Sequence, residues 1–355
     1  MKPHTTAFLA SALLLLNCIN AGSYHRMRKD IKYGPWVTEV SETGATVLWI
    51  TEATTIDAVE MDGREYFQAI DEAPHHGTMH RVRIDSLQPG TEYVYRLVGR
   101  KITEQSDTTD PETLPREFSN YFSFKTMDSH SDSCRFALIC DMHADKEMAC
   151  LLGADIRNRD FDFIVLGGDM VSRETCPDDF LTSAITPLSE AAEWIPIFFT
   201  MGEQEREGCC PLCLGELFPS ESGAFWQSLR HGPVALLILD SEADEEQLQT
   251  QATWLKEAVC DSLFASAPFK VAVMHRPALE GPLTPILAEA GLDLMICGHK
   301  HKSKEYASGE CGNPFPVIVN SCEERLDFRA GAGKIAISFN NAAGQTVHRY
   351  ELRRK

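Results

Sequence analysis

The hydrophobic pattern changes character part-way along the chain. Between about residues 31 and 126, short runs such as residues 45–51 and 80–99 alternate apolar and polar positions with the period of two that is typical of β-strands. The turn residues LQPG at 87–90 interrupt the second run. No stretch of this part has the apolar period of a helix, so the pattern predicts a small all-β sandwich.

A second pattern follows a polar stretch at residues 128–133, which has the composition of a linker. Apolar runs now alternate with amphipathic stretches that are predicted as helices at about residues 146–159, 178–194 and 245–259. Strands that alternate with helices are typical of βαβ units, so this part is predicted to be an α/β domain. The last runs are also compatible with antiparallel strands at an edge or in a second sheet. The predicted strands are RFALIC, FDFIVLGG, IPIFFT, VALLILD, FKVAVMH, LDLMICGH, FPVIVNS and KIAISF.

The N-terminus predicts export. Lys2 is followed by an apolar stretch at about residues 7–16 and by small residues before Gly22, which is the pattern of a secretory signal peptide covering residues 1–21. No later apolar segment reaches the roughly 20 residues of a membrane span. A lipid anchor at Cys18 is the alternative. The predicted location is therefore secreted or periplasmic.

Export would permit disulfide bonds, and the chain has 12 cysteines. The close group of Cys209, Cys210 and Cys213 favours disulfides over a zinc or redox centre, because it has neither a second ligand pair at finger-like spacing nor a strand-to-helix redox context. Further predicted disulfide partners are Cys176, for this group, and Cys311 with Cys322.

The charge balance is strongly acidic. The 33 lysines and arginines stand against 52 aspartates and glutamates, which gives a net charge of -19. Such a chain repels the phosphate backbone of nucleic acids, so no nucleic-acid binding surface is expected. The sequence does not indicate an oligomeric state.

Five predicted strands of the second part each end in a side chain that can ligate a metal or donate a hydrogen bond. A lone histidine in such a place is usually structural, but five coincident strand ends indicate a common site. An unpaired aspartate after a buried strand would be costly, and a metal ion removes that cost. A two-metal centre also needs a bridging carboxylate, which Asp169 in the middle of the set could provide. The strand-end residues are Asp141, His143, Asp169, Glu203, Gln204, Glu205, His275, His299 and His301.

In this order, Asp-x-His, Gly-Gly-Asp, the corner Gly-Glu-Gln-Glu, a histidine after an apolar strand and Gly-His-x-His resemble the motifs of the calcineurin-like metallophosphoesterases. The run GPW…LWIT…LQPGTEYVYRLVG, with Trp49 as a core aromatic, is similar to the purple acid phosphatase-like branch, in which a fibronectin type III-like sandwich precedes the catalytic domain. The resemblance implies such a sandwich over residues 31–126. It implies a four-layer α/β/β/α domain with two metal ions at the sheet edge over residues 134–355.

The resemblance also implies the role of each residue. In the purple members a tyrosine lies three residues after the bridging aspartate, but Ser172 stands there in this chain, so a tyrosinate-to-iron colour is not expected. The resemblance leaves the identity of the two metal ions open among Fe, Zn and Mn. The ligands implied are Asp141, His143 and His301 for one metal, Asp169 as the bridge, and Glu203, His275 and His299 for the other.

The corner at residues 202–205 departs from the family pattern Gly-Asn-His-Asp/Glu. Glu203 puts a carboxylate where a neutral amide normally ligates, which weakens the attraction for phosphate or favours a trivalent ion. Gln204 replaces the histidine that contacts the phosphate and assists the leaving group, and an amide donates a hydrogen bond but carries no proton. The loss of general acid catalysis is expected to lower the rate by ~10²–10⁴-fold. Glu205 or Arg276 could compensate, or either could be a packing or solvated residue.

Two functions follow from these residues. The first is an exported phosphoesterase for small phosphorylated substrates, mono- or diesters, in which a hydroxide bridging the two metals attacks phosphorus in line. Asp169 and Gln204 are its predicted catalytic residues, and Gln204 with Arg276 binds the substrate. The second is a catalytically impaired exported protein that binds metal or phosphate. A redox module built on the cysteine group at 209–213 is a third reading.

Overall fold

The computed structural model describes residues 30–70, 73–101, 110–173, 177–208, 211–220, 223–277 and 281–354. The predicted signal peptide, Cys18, Cys176, Cys209 and Cys210 lie outside the described residues, and so does the side chain of Cys213. Within the described ranges, no helix combines the length and the apolar character that a membrane crossing needs.

The N-terminal part folds as an all-β sandwich, as predicted. Its strands, in chain order, are β1 (Ile31–Thr38), β2 (Gly44–Met61), β3 (Arg64–Phe67), β4 (Ala69–Ile70), β5 (Ala73–Pro74), β6 (His76–Asp85), β7 (Glu92–Lys101) and β8 (Glu117–Lys125). The long strand β2 belongs to both halves of the sandwich. Its first part pairs with β1 and β6, its second part pairs with β3 and β7, and the register with β6 shifts between Ile50 and Thr55. The predicted core aromatic Trp49 is fully buried between the halves, where such a side chain contributes about 1.5–3 kcal/mol.

The second part contains two six-stranded sheets. Their strands are β9 (Ser133–Ile139), β10 (Phe163–Leu166), β11 (Ile197–Phe199), β12 (Gln227–His231), β13 (Val234–Ile238), β14 (Phe269–Val273), β15 (Leu294–Cys297), β16 (Lys304–Tyr306), β17 (Val317–Val319), β18 (Glu324–Gly331), β19 (Lys334–Asn341) and β20 (Thr346–Arg353). The first sheet has the order β11-β10-β9-β18-β19-β20, in which β9, β10 and β11 run parallel and the others antiparallel. The second has the order β12-β13-β14-β15-β17-β16, with four parallel strands between antiparallel edges.

The helices cover the outer faces of the two sheets. Phe136, Phe328 and Val271 share the core between the sheets, and the rings of Phe136 and Phe328 stack with centroids 4.4 Å apart. Outside, Leu152 packs in the cluster of the first sheet and Leu255 in that of the second. The predicted four-layer α/β/β/α fold is therefore confirmed. The helices are α1 (Lys146–Gly153), α2 (Pro177–Phe180), α3 (Ser189–Ala192), α4 (Glu203–Glu207), α5 (Pro211–Leu217), α6 (Glu245–Ala258), α7 (Ser262–Ala265) and α8 (Leu283–Glu289).

Two predicted helices are not continuous in the structure. The stretch predicted at about 178–194 consists of α2, a π-helical turn at Leu181–Ile185, a 3₁₀ turn at Thr186–Leu188 and α3. Pro187 lies in the 3₁₀ turn, where its missing N–H and its ring interrupt a regular helix. The stretch predicted at 146–159 likewise ends at Gly153 and is followed by a separate 3₁₀ turn.

The predicted disulfide between Cys311 and Cys322 is wrong, because both are free thiols. Cys311 lies on an exposed turn in a left-handed conformation, with φ 53°. The thiol of Cys322 lies 3.9 Å from the carbonyl oxygen of His301 and so faces a different neighbour. The other described cysteines, all free, are Cys134, Cys140, Cys150, Cys260 and Cys297.

The two parts are joined by specific hydrogen bonds. The indole Nε1 of Trp36, in β1, donates to the carbonyl oxygen of Leu217 at 3.1 Å. The segment predicted as a linker is itself fixed, since the amide of Asp128 donates to Nδ1 of His231 at 3.1 Å. The sandwich therefore contacts the α/β part through both its first strand and the connecting segment.

Candidate metal centre

The carboxyl ends of five strands meet at one edge of the two packed sheets. Parallel strands deliver the residues that follow them to the same edge. Three groups of potential ligands result, and within each group the ligand atoms lie within 4.8 Å of one another. The groups are Asp141, His143 and His301; Glu203, His275 and His299; and Asp141, Asp169 and His275. All seven side chains that the sequence predicted as ligands are thus brought together.

The first group is compact. Nε2 of His143 lies 2.9 Å from Nε2 of His301, which lies 3.5 Å from Oδ1 of Asp141. Ligand atoms bound to one ion at about 2.0–2.2 Å lie roughly 3 Å apart, so the spacing suits a single metal ion. His143 and His301 are partly exposed, which leaves this side of the cluster open to solvent.

The second group is more enclosed and is linked to the first by Asp169. Oε2 of Glu203 lies 2.7 Å from Nδ1 of His299 and 3.6 Å from Nε2 of His275. Oδ2 of Asp169 lies 3.3 Å from Nε2 of His275 and 4.0 Å from Nε2 of His143. Asp169 therefore places one oxygen between the two groups, as a bridging ligand must.

Three buried ligand atoms have no hydrogen-bond partner: Oδ2 of Asp169, Nε2 of His275 and Nδ1 of His299. The contacts of His299 with Glu203 and of His275 with Asp169, at 2.7 and 3.3 Å, are close enough for charge interaction but lack the orientation of a hydrogen bond. Most buried polar atoms in folded proteins are paired, and an unpaired one costs about 1–3 kcal/mol. Oxygen and imidazole nitrogen atoms that lack partners at these distances fit metal ions as the missing partners.

The backbone at the cluster is strained. Five of the predicted ligands have left-handed backbone angles, a conformation that is uncommon for residues other than glycine and costs of order 1–3 kcal/mol each. The tight turns at the strand ends impose this conformation and direct the side chains inward. The residues and their φ values are Asp141 (58°), His143 (46°), Asp169 (51°), His299 (71°) and His301 (54°).

Hydrogen bonds fix both oxygens of the first aspartate and one oxygen of the bridging aspartate. The backbone amide of His299 donates to Oδ1 and Oδ2 of Asp141 at 2.9 and 3.0 Å. The backbone amide of Gln204 donates to Oδ1 of Asp169 at 2.9 Å, which leaves Oδ2 facing the cluster. Burial opposes the charged form of Asp169, but His275 and the amide of Gln204 outweigh it and keep the pKa of this carboxyl below its usual value.

His275 faces the cluster through Nε2. Its Nδ1 lies 2.8 Å from the carbonyl oxygen of Gly167, which can only accept, so Nδ1 is the donor. Burial would lower the pKa of this histidine, but Asp169 and Asp141 outweigh burial and raise the pKa to about 9. In the metal-free protein His275 is therefore protonated at neutral pH. Nε2 has to lose its proton before it can bind a metal.

Glu205 does not face the cluster. Its Oε2 accepts from the amides of Asp169 at 2.8 Å and Gly202 at 3.0 Å, and its Oε1 accepts from the amide of Met170 at 2.7 Å. The side chain is buried, and burial with the nearby charge of Asp169 raises its pKa to about 7. Of the alternatives that the sequence left open, Glu205 is the packing residue, because it holds the loop that carries Asp169.

Gly202 is required for this contact between the corner and the loop. A Cβ at position 202 would lie 2.3 Å from both the amide nitrogen and Oδ1 of Asp169, which no side chain can do. Glu203 and Gln204 therefore lie in a corner whose backbone packs directly against Asp169. Gln204 is half-buried in the first turn of α4.

Arg276 lies between two carboxylates. Its Nη2 is 2.7 Å from Oε2 of Glu203 and 3.1 Å from Oε2 of Glu242, and its Nε is 3.1 Å from Oε1 of Glu242. Hydrogen bonding to Glu242 raises the pKa of this already basic group. The sequence predicted Arg276 as a substrate-binding residue but overlooked Glu242. Glu242 follows the strand VALLILD, so the strand-end rule that found the other residues could have found it as well.

The position of the missing tyrosine is occupied as predicted by Ser172. Its Oγ donates to the carbonyl oxygen of His143 at 2.9 Å, and the side chain is exposed. It thus supports the backbone next to the cluster.

Residues 134–303 match the family described as calcineurin-like phosphoesterase. This part of the chain is therefore a calcineurin-like phosphoesterase domain, a family that implies a dinuclear metal site. The chain as a whole is similar to purple acid phosphatases.

Two relatives resemble the chain over most of its length. Purple acid phosphatase 23 of Arabidopsis thaliana is 22% identical over 312 residues, which cover 74% of this chain and 67% of that protein. The solved purple acid phosphatase from yellow lupin (Lupinus luteus) seeds superposes with a TM-score of 0.71 at 14% identity, covering 90% of this chain and 74% of that chain. A second solved structure, GAP50, the anchor in the inner membrane complex of Plasmodium, has a TM-score of 0.50 at 15% identity, covering 63% of this chain and 90% of that chain. At these identities the solved structures establish the fold.

Proposed function

We propose that this protein is an exported hydrolase of small phosphate mono- or diesters that holds two metal ions, drawn from Fe, Zn and Mn, at the strand-end cluster. The observation that carries the proposal is the set of three buried ligand atoms without partners, placed among seven potential ligands. The catalytic role belongs to a domain at residues 134–355, and the sandwich at residues 31–126 has no group of catalytic residue types. The proposed ligands are Asp141, His143 and His301 for one ion, Asp169 as the bridge, and Glu203, His275 and His299 for the other.

Bound metal ions would supply the positive charge that attracts a phosphate ester and makes it open to attack by water. The protein's own part is to hold their ligands in place. Asp169 is fixed from behind by the amide of Gln204 and by Glu205, which binds the backbone of its loop. The Nδ1 contact of His275 with Gly167 fixes the imidazole so that Nε2 faces the cluster.

Gln204 is proposed to orient the substrate. Gln204 lies in the first turn of α4, where its backbone amide donates to Asp169, and its half-buried side-chain amide can donate a hydrogen bond to a phosphoryl oxygen. It cannot give a proton to the leaving oxygen, so that oxygen must depart as an anion or take its proton from water. Esters of acidic alcohols, such as aryl phosphates, should therefore be hydrolysed faster than alkyl phosphates.

Elemental analysis of the purified protein with an ester screen tests this function. We expect about two metal ions per chain and turnover that is higher on aryl than on alkyl phosphates. The Asp169→Asn variant should lose metal and turnover together. Asp85→Asn, which changes an exposed carboxylate in the sandwich, should keep both. A wild-type protein that binds no metal after incubation with Fe, Zn and Mn would contradict the proposal.

The second candidate is a catalytically impaired protein that binds metal or phosphate. It is favoured by the carboxylate at Glu203 and the amide at Gln204, since Glu203 is one of the grouped potential ligands and Gln204 directly follows it. A related fold in GAP50 serves as an anchor, which is a precedent for a non-enzymatic use. Bound metal without turnover on mono- and diesters would support this candidate. The double variant Glu203→Asn with Gln204→His should then gain turnover, whereas an unchanged rate would mean that the corner does not limit catalysis.

A further inference from the structure

Arg276 forms a chain of charges with Glu242 behind it and Glu203 in front. Two of its nitrogen atoms, Nε and Nη2, approach the two oxygens of Glu242 at 3.1 Å each, in the paired arrangement typical of arginine and carboxylate. Nη2 also donates to Oε2 of Glu203 at 2.7 Å. The orientation of the guanidinium is therefore set by Glu242 and presents Nη2 to Glu203.

Glu242 is itself held in place. The hydroxyl of Ser241 donates to Oε1 of Glu242 at 2.9 Å and accepts from the amide of Arg276 at 2.9 Å. The Glu242 side chain is 10% exposed, against 43% for Arg276. The anchored end of the chain of charges is thus the buried end, and the arginine extends from it toward the cluster.

Glu203 needs such support. A glutamate side chain has one more rotatable bond than the asparagine that the family pattern has at this position, so its carboxylate is harder to hold at one point. The same oxygen that accepts from Arg276 lies 2.7 Å from Nδ1 of His299 and 3.6 Å from Nε2 of His275. Arg276 therefore contacts the one oxygen of Glu203 that reaches the second ligand group.

We infer that Arg276, anchored by Glu242, is a positioning residue that holds Glu203 in its metal-binding orientation and offsets part of its charge. This inference rests on the proposed function, since it concerns the metal site of that function. It assigns Arg276 to Glu203 rather than to the substrate. A phosphate bound by Nε and Nη2 would have to displace both carboxylates from them.

Metal titration of the chelator-stripped protein with Zn²⁺ tests the inference without using turnover. In the wild type we expect two ions. In Arg276→Ala the affinity for one of them should fall by about 10–100-fold, the usual cost of removing a group that orients a metal ligand, while the other keeps its affinity. Arg276→Lys should restore the affinity in part, because it keeps the charge but not the planar fork. Glu242→Gln should also lower the affinity for the same ion.

The decisive comparison uses a second background. In Glu203→Asn the arginine has no ligand carboxylate to hold, so adding Arg276→Ala should cause no further loss of affinity. The matched control is Arg83→Ala, which removes a partly exposed arginine paired with Asp85 in the sandwich and should leave both ions unaffected. Circular dichroism and thermal unfolding identify any variant that fails to fold. If Arg276→Ala does not fold, Glu242→Gln and Arg276→Lys still test the inference.

Different results would overturn the inference alone or together with the proposed function. If Arg276→Ala binds both ions as tightly as the wild type and only raises KM for a phosphate ester, Arg276 binds substrate and the inference falls. An equal loss of affinity in the wild-type and Glu203→Asn backgrounds also overturns it, because the arginine would then act through another group. A wild type that binds no metal overturns the proposed function and this inference together.

Discussion

The buried carboxylate of Glu205 accepts a hydrogen bond from the backbone amide of Asp169 at 2.8 Å. The contact joins the corner after β11 to the loop after β10. Three further amides, those of Gly202, Met170 and Val171, donate to the same carboxylate. The position of Oδ2 of Asp169, the proposed bridging oxygen, thus depends on a residue that does not face the cluster.

Removing Glu205 should therefore destabilise the whole domain. Glu205→Ala leaves four buried amides without this acceptor. At about 1–3 kcal/mol each, the free energy of unfolding should fall by at least about 4 kcal/mol. Urea unfolding measures this difference. Glu207→Ala, on the exposed side of the same helix, should change stability by less than about 0.5 kcal/mol. Equal losses in the two variants would show that Glu205 does not hold the loop.

The affinity for metal should rise with pH up to about 9. The pKa of His275 is raised to about 9 in the metal-free protein, so protonation of this histidine contributes stability that is fully present below its ordinary pKa of 6.5 and is lost as pH rises through about 9. A metal ion must displace this proton. Between pH 7 and 9 the logarithm of the Zn²⁺ affinity should rise by about one per pH unit, and it should level off above that range. Competition titrations with a chelator of known pH dependence provide the measurement, and a flat profile over this window would disprove the assignment.

Gln204→His should change which esters the enzyme prefers. An imidazole at this half-buried position can protonate the leaving oxygen, which is worth about 10²–10⁴-fold where that step limits the rate. We expect kcat/KM on alkyl phosphates to rise by this factor and the rate on aryl phosphates to change much less. A series of esters with leaving groups of graded acidity gives the comparison. An equal gain across the series would mean that the histidine only improves binding.

Gly202→Ala should disrupt the metal centre. The added Cβ would overlap Asp169, so either the corner or the bridging loop has to move. We expect the loss of at least one bound metal ion together with a lower unfolding temperature. Gly215→Ala is the matched control, because its Cβ would meet only an atom of Phe225 at 3.8 Å and alanine favours the helix by up to about 1 kcal/mol. If Gly202→Ala keeps both metal ions, the corner can accommodate a Cβ and the predicted overlap with Asp169 is wrong.

Much of the fold could be predicted because its central strands are buried on both faces. Strands such as β10 and β15 consist entirely of buried apolar residues, and such runs are easy to recognise. Strand β18 was not predicted, since it contains the charged pair Arg325 and Asp327. Both are buried and joined by a 2.7 Å contact, which a sequence pattern cannot distinguish from two solvated charges. Strand β20 is an edge strand with Val347 half-exposed, and only Tyr350 and Leu352 pack against the core, so its apolar pattern is too short to recognise.

The candidate site was predictable to the extent that strand ends determine it. Residues that directly follow parallel strands meet at one edge whatever their rotamers, so the seven ligands could be grouped in advance. The directions of Glu205 and Arg276 could not, because each depends on which partner lies within reach of a long side chain. Glu205 turns to backbone amides and Arg276 to Glu242, and both partners come from other segments of the chain.

The left-handed backbone at five of the proposed ligands bears on whether the site is still in use. Glycine at those positions would relieve the conformational cost, and a chain under no demand for chemistry would gain folding free energy by acquiring it. This chain carries aspartate or histidine at all five. The chain thus bears the cost of an arrangement that directs donor atoms to one point, which favours a working centre over a relic of one.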